Sequence, residues 1–173
     1  MPKRVFKLNN SHFVFLFLDC FESDTLDAQL ANLDASGFTA SSSFDSLYLP
    51  SNSLLHSTAA YGWWAAQNNV IGEYIQVDLD EVKVIVKVAT QGQTAGNQFV
   101  TSYELATSSG GDLEYILNEF GNEKLFSGNV DGDTVVENCV GNVQAFAVRM
   151  YPQTWYQHIS LRWELYALPE PGE

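Results

Sequence analysis

The chain has 173 residues, about the length of one domain, and its 46% apolar content can fill a single buried core. Its 21 acidic residues outnumber 8 lysines and arginines, and the resulting net charge of −13 repels phosphate backbones and excludes nucleic acid as a partner. The same acidity disfavours a bare anionic membrane surface, and no apolar run approaches the ~20 residues that a membrane-spanning helix needs.

Residues 1–18 have some features of a secretory signal. Lys3, Arg4 and Lys7 precede an apolar run at 13–18, but this run is short and no small-x-small cleavage site follows it. Two interpretations stay open for this segment. It is either an atypical signal of a secreted protein, or a leader or fragment edge in front of a domain at 19–168.

The rest of the chain predicts β-strands with one short helix. The helix is predicted around 24–32, where leucines recur at spacings of four and three. Five segments are rich in β-branched and aromatic residues and are separated by Gly, Asn, Asp and Ser turn signals. In the first and the last of them, polar and apolar residues alternate, which predicts one buried face and one solvent face. Together they predict an antiparallel β-sandwich, with strands at 74–79, 82–89, 99–106, 145–151 and 159–166.

Chemically reactive residues are few and scattered. His12, His56 and His158 lie far apart, and the sequence contains neither a GxSxG nor an HExxH motif, so no catalytic site is predicted and the chain is not expected to be an enzyme. Cys20 and Cys139 are too far apart for a CxxC metal pair. They can form one disulfide or remain two buried thiols, and the residues alone leave both open.

Two further segments have structural interpretations. Residues 129–137 carry oxygen-bearing side chains at alternate positions, as in a calcium-binding loop, but Thr134 and Val140 stand where such a loop needs glycine and glutamate. An ordinary turn is predicted there. The Pro- and Glu-rich tail at 169–173 has the composition of a linker and predicts a longer multidomain chain.

Seven short blocks, taken in chain order, resemble the signature blocks of the discoidin (coagulation factor V/VIII type C) family. Each block alone is a weak signal, but their order and approximate spacing match those of the family over about 20–168. The blocks are FTASS at 38–42, Trp64 followed by YIQVDL at 74–79, VATQG at 88–92, FVTSY at 99–103, FSGN at 126–129, VRMYP at 148–152 and ISLRWELY at 159–166.

The resemblance implies an all-β, distorted jelly-roll sandwich of about eight antiparallel strands, of the galactose-binding-domain-like kind. It further implies a non-enzymatic extracellular module that binds through loops at one end. Family members commonly pair a cysteine at the domain start with one at its very end. Here Leu168 stands at that last position, and Cys139 occupies a place that is usually apolar. The resemblance therefore favours Cys139 as a small buried thiol over a Cys20–Cys139 disulfide.

The first loop that the resemblance assigns to ligand binding is 44–50. Leu47, Tyr48 and Leu49 stand at its tip, where lipid-binding relatives display large apolar residues. Exposed, these side chains would bury well in a lipid interface or a protein groove. In the alternative, Leu47 and Leu49 fold back into the core and only Tyr48 stays outside.

Two other loops complete the predicted surface. Loop 93–98 is small and polar, which suits a glycan or a protein surface better than lipid. Loop 63–69 combines an aromatic ring with amides, a mixture that can stack on sugar rings and bond their hydroxyl groups. The residues predicted to bind ligand here are Thr94 and Asn97 in the former, and Trp63, Gln67 and Asn68 in the latter.

Four residues are assigned structural roles. Trp64 matches a core tryptophan of the family, and Arg149 and Arg162 lie inside predicted strands. Arginines in strands beside carboxylates such as Asp78 or Glu164 are more often structural ion pairs than ligand contacts.

No cofactor is required, and calcium is the one ion considered. Some relatives bind calcium near the amino-terminal loop through carbonyl, Asp and Ser/Thr oxygens. Asp34, Ser36, Thr39 and Glu164 are the positions that can serve here.

The leading functional hypothesis is a secreted, extracellular adhesion or lectin-like module that recognises a glycan, or a cell-surface or extracellular-matrix protein. The alternative is calcium-assisted peripheral binding to phospholipid through the apolar loop tip.

Overall fold

The computed structural model describes residues 29–31, 33 and 35–169. Within them lie nine strands and two 3-10 helices of three residues each. The helix predicted around 24–32 lies partly outside these residues, but Gln29 and Leu30 form a strand, so that part of the prediction is wrong. No helix among the described residues is long and apolar enough to cross a membrane.

The chain order is strand β1, helix η1, strand β2, helix η2 and then strands β3 to β9. The bounds are β1 Gln29–Leu30, η1 Ala35–Gly37, β2 Phe38–Ala40, η2 Pro50–Asn52, β3 Trp64–Ala65, β4 Ile75–Gln91, β5 Phe99–Ser108, β6 Glu114–Tyr115, β7 Phe126–Ser127, β8 Val136–Tyr156 and β9 Ser160–Ala167.

All strand pairs are antiparallel, and the sheet runs in the order β1-β9-β4-β8-β5-β6. Strands β2, β3 and β7 pair beside this path, on β4, β9 and β5. The pairing confirms the predicted antiparallel sandwich, with 74–79 and 82–89 joined in the single long strand β4. Strand β4 pairs with β2 in its first half and with β9 in its second half, so it belongs to both layers.

Strands β4 and β8 stay paired on both sides of a register shift between Asp78 and Lys83. Extra residues at such a shift bend a strand pair, and here they let both halves return to the same end of the sandwich. We call this the loop end. It comprises 41–63, 66–74, 92–98, 128–135 and 157–159. At the opposite end the chain leaves β9, where Leu168 N donates to Val84 O at 2.9 Å.

The core lies between the two layers and is built from aliphatic and aromatic side chains. Burying each large apolar side chain contributes about 1.5–3 kcal/mol. Trp64 is fully buried, as predicted from the family, and its Nε1 donates to Ser42 O. The largest fully buried side chains are Trp64, Trp163, Tyr103, Ile75, Ile85, Leu105, Met150, Ile159, Leu161 and Leu165.

Strand β9 differs from its predicted half-polar character. Its polar side chains Ser160, Arg162 and Glu164 are as buried as the apolar ones between them. The reason lies in the loops, because 92–98 and 128–135 fold over the strand and supply partners for its polar groups. Ser160 Oγ, for example, donates to Gln98 Oε1 at 3.0 Å.

Candidate functional site

Aromatic rings from two loops meet at the loop end. The ring centroid of Tyr48 lies 5.3 Å from that of Trp63 and 5.5 Å from that of Tyr61. We call Tyr48, Tyr61 and Trp63 the aromatic ledge. Phe44 extends it, because its ring makes edge contacts with Tyr48 and with the imidazole of His158. Phe44 and Tyr61 are largely exposed, so the ledge presents ring surface to solvent.

Short-range hydrogen bonds fix the loop that carries Tyr48. Asp45 Oδ1 accepts from Leu47 N at 2.7 Å, and Leu47 O accepts from Asn52 Nδ2 at 2.9 Å. This turn leaves Leu47 and Leu49 exposed at 45% and 41%, while Tyr48 is half-buried. The alternative in which the two leucines fold back into the core is therefore wrong.

A cleft of about 530 Å³ opens beside the ledge. Trp63 belongs to both, since its ring stands in the ledge and the residue also lines the cleft. The opposite wall comes from the β4–β5 loop and from the loop before β8, and we call it the far wall. The cleft is lined by His56, Ser57, Thr58, Ala59, Ala60, Gly62, Trp63, Gln91, Thr94, Ala95, Asp133 and Arg162.

Arg162 joins the loops beneath this cleft. Its Nε donates to Gly92 O at 2.8 Å, and its Nη2 donates to Gly132 O at 3.0 Å and to Thr94 Oγ1 at 3.1 Å. The nearest carboxylate oxygen, Asp133 Oδ1, lies 3.8 Å from Nη2. Burial lowers the pKa of Arg162, and Asp133 opposes that effect.

Neither strand arginine pairs with Asp78 or Glu164, although Arg162 does form an ion pair with another carboxylate, that of Asp133. Arg162 has Asp133 rather than Glu164 beside it, and Glu164 Oε1 instead accepts from Leu165 N at 3.2 Å. Burial raises the pKa of Glu164, as expected for a carboxyl group with no cation next to it.

Arg149 is held without a carboxylate as well. Its Nε donates to Gln76 Oε1 at 2.7 Å and its guanidinium carbon lies 4.0 Å from the ring centroid of Tyr74. Asp78 accepts from the other end of the same amide, Gln76 Nε2, at 2.6 Å. Gln76 therefore stands between the two residues predicted to pair. The guanidinium of Arg149 thus contacts an amide and an aromatic ring, where the sequence predicted a carboxylate partner.

The structure brings together only part of the predicted ligand-binding set. Trp63 and Thr94 line the cleft. Gln67 and Asn68 are exposed and do not line it. Asn97 has a different contact, because its Oδ1 accepts from Gly132 N at 3.2 Å and so ties the two loops of the far wall together.

Several features of the loop end were not anticipated from the sequence. They are the polar cleft residues His56, Ser57, Thr58 and Asp133, the third ledge ring Tyr61, and the exposed Val70 and Ile71. Asp133 had been assigned to an ordinary turn. The turn is present, since Asp131 Oδ1 accepts from the backbone N of Asp133 and Thr134 and its Oδ2 from Thr134 Oγ1. Its second role is to carry the Asp133 carboxylate into the cleft, which no local pattern indicates.

Three of the four predicted calcium positions lie among the described residues. Asp34 lies outside the described residues, Ser36 and Thr39 are exposed, and Glu164 is buried in β9. In the part of the chain that the structure describes, no three His, Cys, Asp or Glu side chains are grouped so as to hold a metal ion. A calcium site stays a proposal.

Cys139 was expected to be a free buried thiol, and this expectation is wrong. It lies half-buried in β8 and is disulfide-bonded. Cys20, the other cysteine of the sequence, lies outside the described residues.

An antiparallel sandwich with an aromatic ledge and a polar cleft among its loops defines a β-sandwich ligand-binding module. Residues 37–165 match the F5/8 type C domain, and the chain belongs to that family, which confirms the resemblance seen in the sequence.

Known proteins are similar to this chain in sequence and in structure. Hemocytin of Bombyx mori is 31% identical over 160 residues, which are 88% of this chain and 5% of hemocytin. Discoidin II of Dictyostelium discoideum superposes with a TM-score of 0.70 at 27% identity, over 78% of this chain and 55% of that chain. The chain therefore spans less than two thirds of the length of these relatives. The family 32 CBM from C. perfringens NanJ, solved in complex with galactose, has the same fold, with a TM-score of 0.59 at 17% identity over 78% of this chain and 96% of that one.

Proposed function

We propose that the chain is a non-enzymatic module that binds a glycan in the cleft, against the aromatic ledge. The observation that carries this proposal is the position of Trp63, whose ring belongs to the ledge and which also lines a cleft with hydroxyl and amide groups. Sugar rings have an apolar face of C–H groups and an edge of hydroxyls. A flat ring beside hydrogen-bonding side chains complements both.

The polar groups of the cleft are available for a ligand. The side chains of His56, Ser57 and Thr58 line it and make no hydrogen bond to any other described residue. Together they offer donors and acceptors that a sugar hydroxyl can use in either direction. The wall opposite them is held by Arg162, so a ligand meets a preformed site and loses little affinity to ordering of the protein.

Binding to a glycan array followed by calorimetry with the best glycan tests the proposal. Stacking on Trp63 should contribute about 1–2 kcal/mol, so Trp63→Ala should weaken binding about five- to thirtyfold. Phe120→Ala is the matched control, because Phe120 is an exposed aromatic residue outside the loop end, at 79% exposure. Unchanged affinity in Trp63→Ala, or an equal loss in Phe120→Ala, would contradict the proposal.

We further propose that this module works outside the cell, within a longer chain, on cell-surface or extracellular-matrix glycoproteins. The disulfide at Cys139 supports an oxidising compartment, since disulfides seldom persist in the cytosol. The small share of hemocytin that the chain spans supports a multidomain context. The galactose complex of a module with this fold supports the choice of ligand class.

Peripheral binding to phospholipid, assisted by calcium, is a second candidate because of four exposed aliphatic side chains. Leu47 and Leu49 are joined at the loop end by Val70 and Ile71, exposed at 52% and 62%. The two loops flank His158, which contacts Phe44 on one side and Asn69 on the other. Such tips can enter the apolar part of a bilayer.

Sedimentation with vesicles of phosphatidylcholine alone and with phosphatidylserine, each with calcium and with chelator, separates the two candidates. If the membrane is the target, Leu47→Ser/Leu49→Ser should abolish sedimentation and leave glycan binding intact. The variant Val82→Ser, altered at the opposite end, should still sediment. Absence of sedimentation in all mixtures would leave the glycan proposal alone.

A further inference from the structure

We propose that the cleft selects its sugars by charge, preferring a sugar with a free amino group to its N-acetylated form and disfavouring acidic sugars, with Asp133 as the residue that discriminates. This inference rests on the proposed glycan binding. It adds the substrate class and a specificity-determining residue.

The carboxylate of Asp133 is both exposed and fixed in place. Its side chain is 75% accessible. Its backbone is held on both sides, since its N donates to Asp131 Oδ1 at 2.9 Å and its O accepts from Gln91 Nε2 at 2.6 Å. Among the described residues, its side-chain contacts with Thr94 and Arg162 both use Oδ1. Oδ2 is therefore left for a ligand in the cleft.

The positive charge of Arg162 does not cancel this carboxylate for an incoming ligand. The Arg162 side chain is only 8% accessible, and its Nε and Nη2 already serve Gly92 O, Gly132 O and Thr94 Oγ1. Its separation of 3.8 Å from Asp133 Oδ1 is too long for a hydrogen bond. A ligand thus meets an exposed carboxylate, while most of the guanidinium is covered.

The remaining charges act in the same direction. His56 is the one other titratable side chain on the cleft lining, and the whole chain carries a net charge of −13. A carboxylate or sulfate on a sugar would approach the exposed like charge of Asp133 before the largely buried guanidinium of Arg162. An ammonium group on the sugar would gain a charge-assisted hydrogen bond to Asp133.

Calorimetry with the full chain at pH 6.0 tests the proposal. The ligands are the β-1,4-linked trimers of glucosamine and of N-acetylglucosamine, the methyl glycosides of galactosamine and of N-acetylgalactosamine, and 3′-sialyllactose. The amino form should bind at least about threefold more tightly than its N-acetylated partner, and the sialylated sugar should bind more weakly than either.

Because sugar amines lose their proton at about pH 7–8, as α-amino groups do, the preference should shrink between pH 6.0 and 8.5. Raising the salt concentration should also reduce the preference.

Asp133→Asn should remove the preference, because the amide carries no charge although it can still accept from Thr94. Asp80→Asn is the matched control, since it removes one exposed carboxylate at the opposite end. Equal affinity for amino and N-acetylated sugars in the unmodified chain, tighter binding of 3′-sialyllactose, or a preference that survives in Asp133→Asn would each overturn the inference while the proposed function stands. Failure of every sugar to bind would overturn the proposed function and this inference together.

Discussion

The guanidinium of Arg162 is bonded to backbone carbonyls of two loops, at Gly92 and Gly132, and to the hydroxyl of Thr94. A charge so far from water is tolerated only where fixed dipoles replace its hydration. Here those dipoles belong to the far wall of the cleft. A strand residue therefore decides whether the loops on either side of it keep their shape.

Replacing Arg162 with methionine should lower the free energy of unfolding by about 2–4 kcal/mol, because two buried carbonyl groups lose their donor. Urea unfolding followed by tryptophan fluorescence measures the change. Glu81→Gln is the control, since the side chain of Glu81 is 58% accessible and its pair with Lys83 lies on the surface. A loss below 1 kcal/mol in Arg162→Met would show that water replaces the guanidinium.

Glu164 should make stability fall as the pH rises. Burial raises the pKa of this carboxyl group above its ordinary value of 4.5, so the folded state holds the proton more tightly than the unfolded chain does. Between the unfolded and the folded pKa the folded state binds more protons, and the free energy of unfolding decreases with increasing pH. Glu164→Gln should therefore be more stable than the unmodified chain at pH 7, and the difference should vanish below the unfolded pKa.

Urea unfolding at pH 4.0, 5.5 and 7.0 measures this difference. Glu114→Gln, at an exposed position of β6, is the control for the loss of a surface carboxylate. If the extra stability of Glu164→Gln stayed constant from pH 4.0 to 7.0, ionisation of Glu164 could not be its cause.

At the scale of elements, the far wall depends on how closely the loops 92–98 and 128–135 approach. A Cβ added at Gly132 would lie 2.4 Å from Gln93 O and 2.9 Å from Gln93 C, and both atoms belong to backbone that cannot rotate away. Because Gly132 O is also an acceptor for Arg162, any movement of this loop is transmitted to the floor of the cleft.

Gly132→Ala should therefore separate the two loops, lower the free energy of unfolding by about 1–3 kcal/mol and weaken glycan binding. Gly111→Ala is the matched control, because a Cβ at Gly111 meets no heavy atom within 4 Å. Chemical denaturation and calorimetry on both variants test the prediction. Normal glycan affinity in Gly132→Ala would place the binding site away from this wall.

The elements themselves were largely predictable, because strand signals are local. Alternation in 74–79 and the β-branched and aromatic content of 99–106 depend on residues next to each other, and these segments form parts of β4 and β5. The polar face of β9 was misread, because period two shows which residues share a face but not whether loops from elsewhere cover that face. The predicted helix failed at Gln29 and Leu30 for a similar reason, since pairing with β9 outweighs leucine spacing.

At the scale of the whole molecule, the cleft could not be predicted as a unit. His56, Thr94, Asp133 and Arg162 are each unremarkable in their own segments, and they meet only because the β4–β8 ribbon bends and returns both layers to one end. The resemblance to the family located Trp63 and Thr94, since it places whole loops. It misled on Cys139, since relatives use a cysteine at the domain end and this chain does not.

The disulfide at Cys139 should stabilise the whole molecule. A cross-link restricts the unfolded state, and reduction should lower the free energy of unfolding by about 2–5 kcal/mol. Urea unfolding with and without dithiothreitol measures the loss, with Cys139→Ser as a second route to the same state. Titration of the unreduced, denatured chain should find no free thiol, and two thiols per chain would contradict the bond.

Strand β9 has a further consequence because of where its two ends lie. Its first residues lie at the floor of the cleft, and its last pass to Leu168 at the far end. A pull on the chain beyond Leu168 against an anchored ligand would run lengthwise along β9. The backbone hydrogen bonds between β9 and β4 lie across that direction, so they carry the load together in shear rather than opening one after another. The module should therefore resist tension between a ligand bound in the cleft and the chain that follows Leu168.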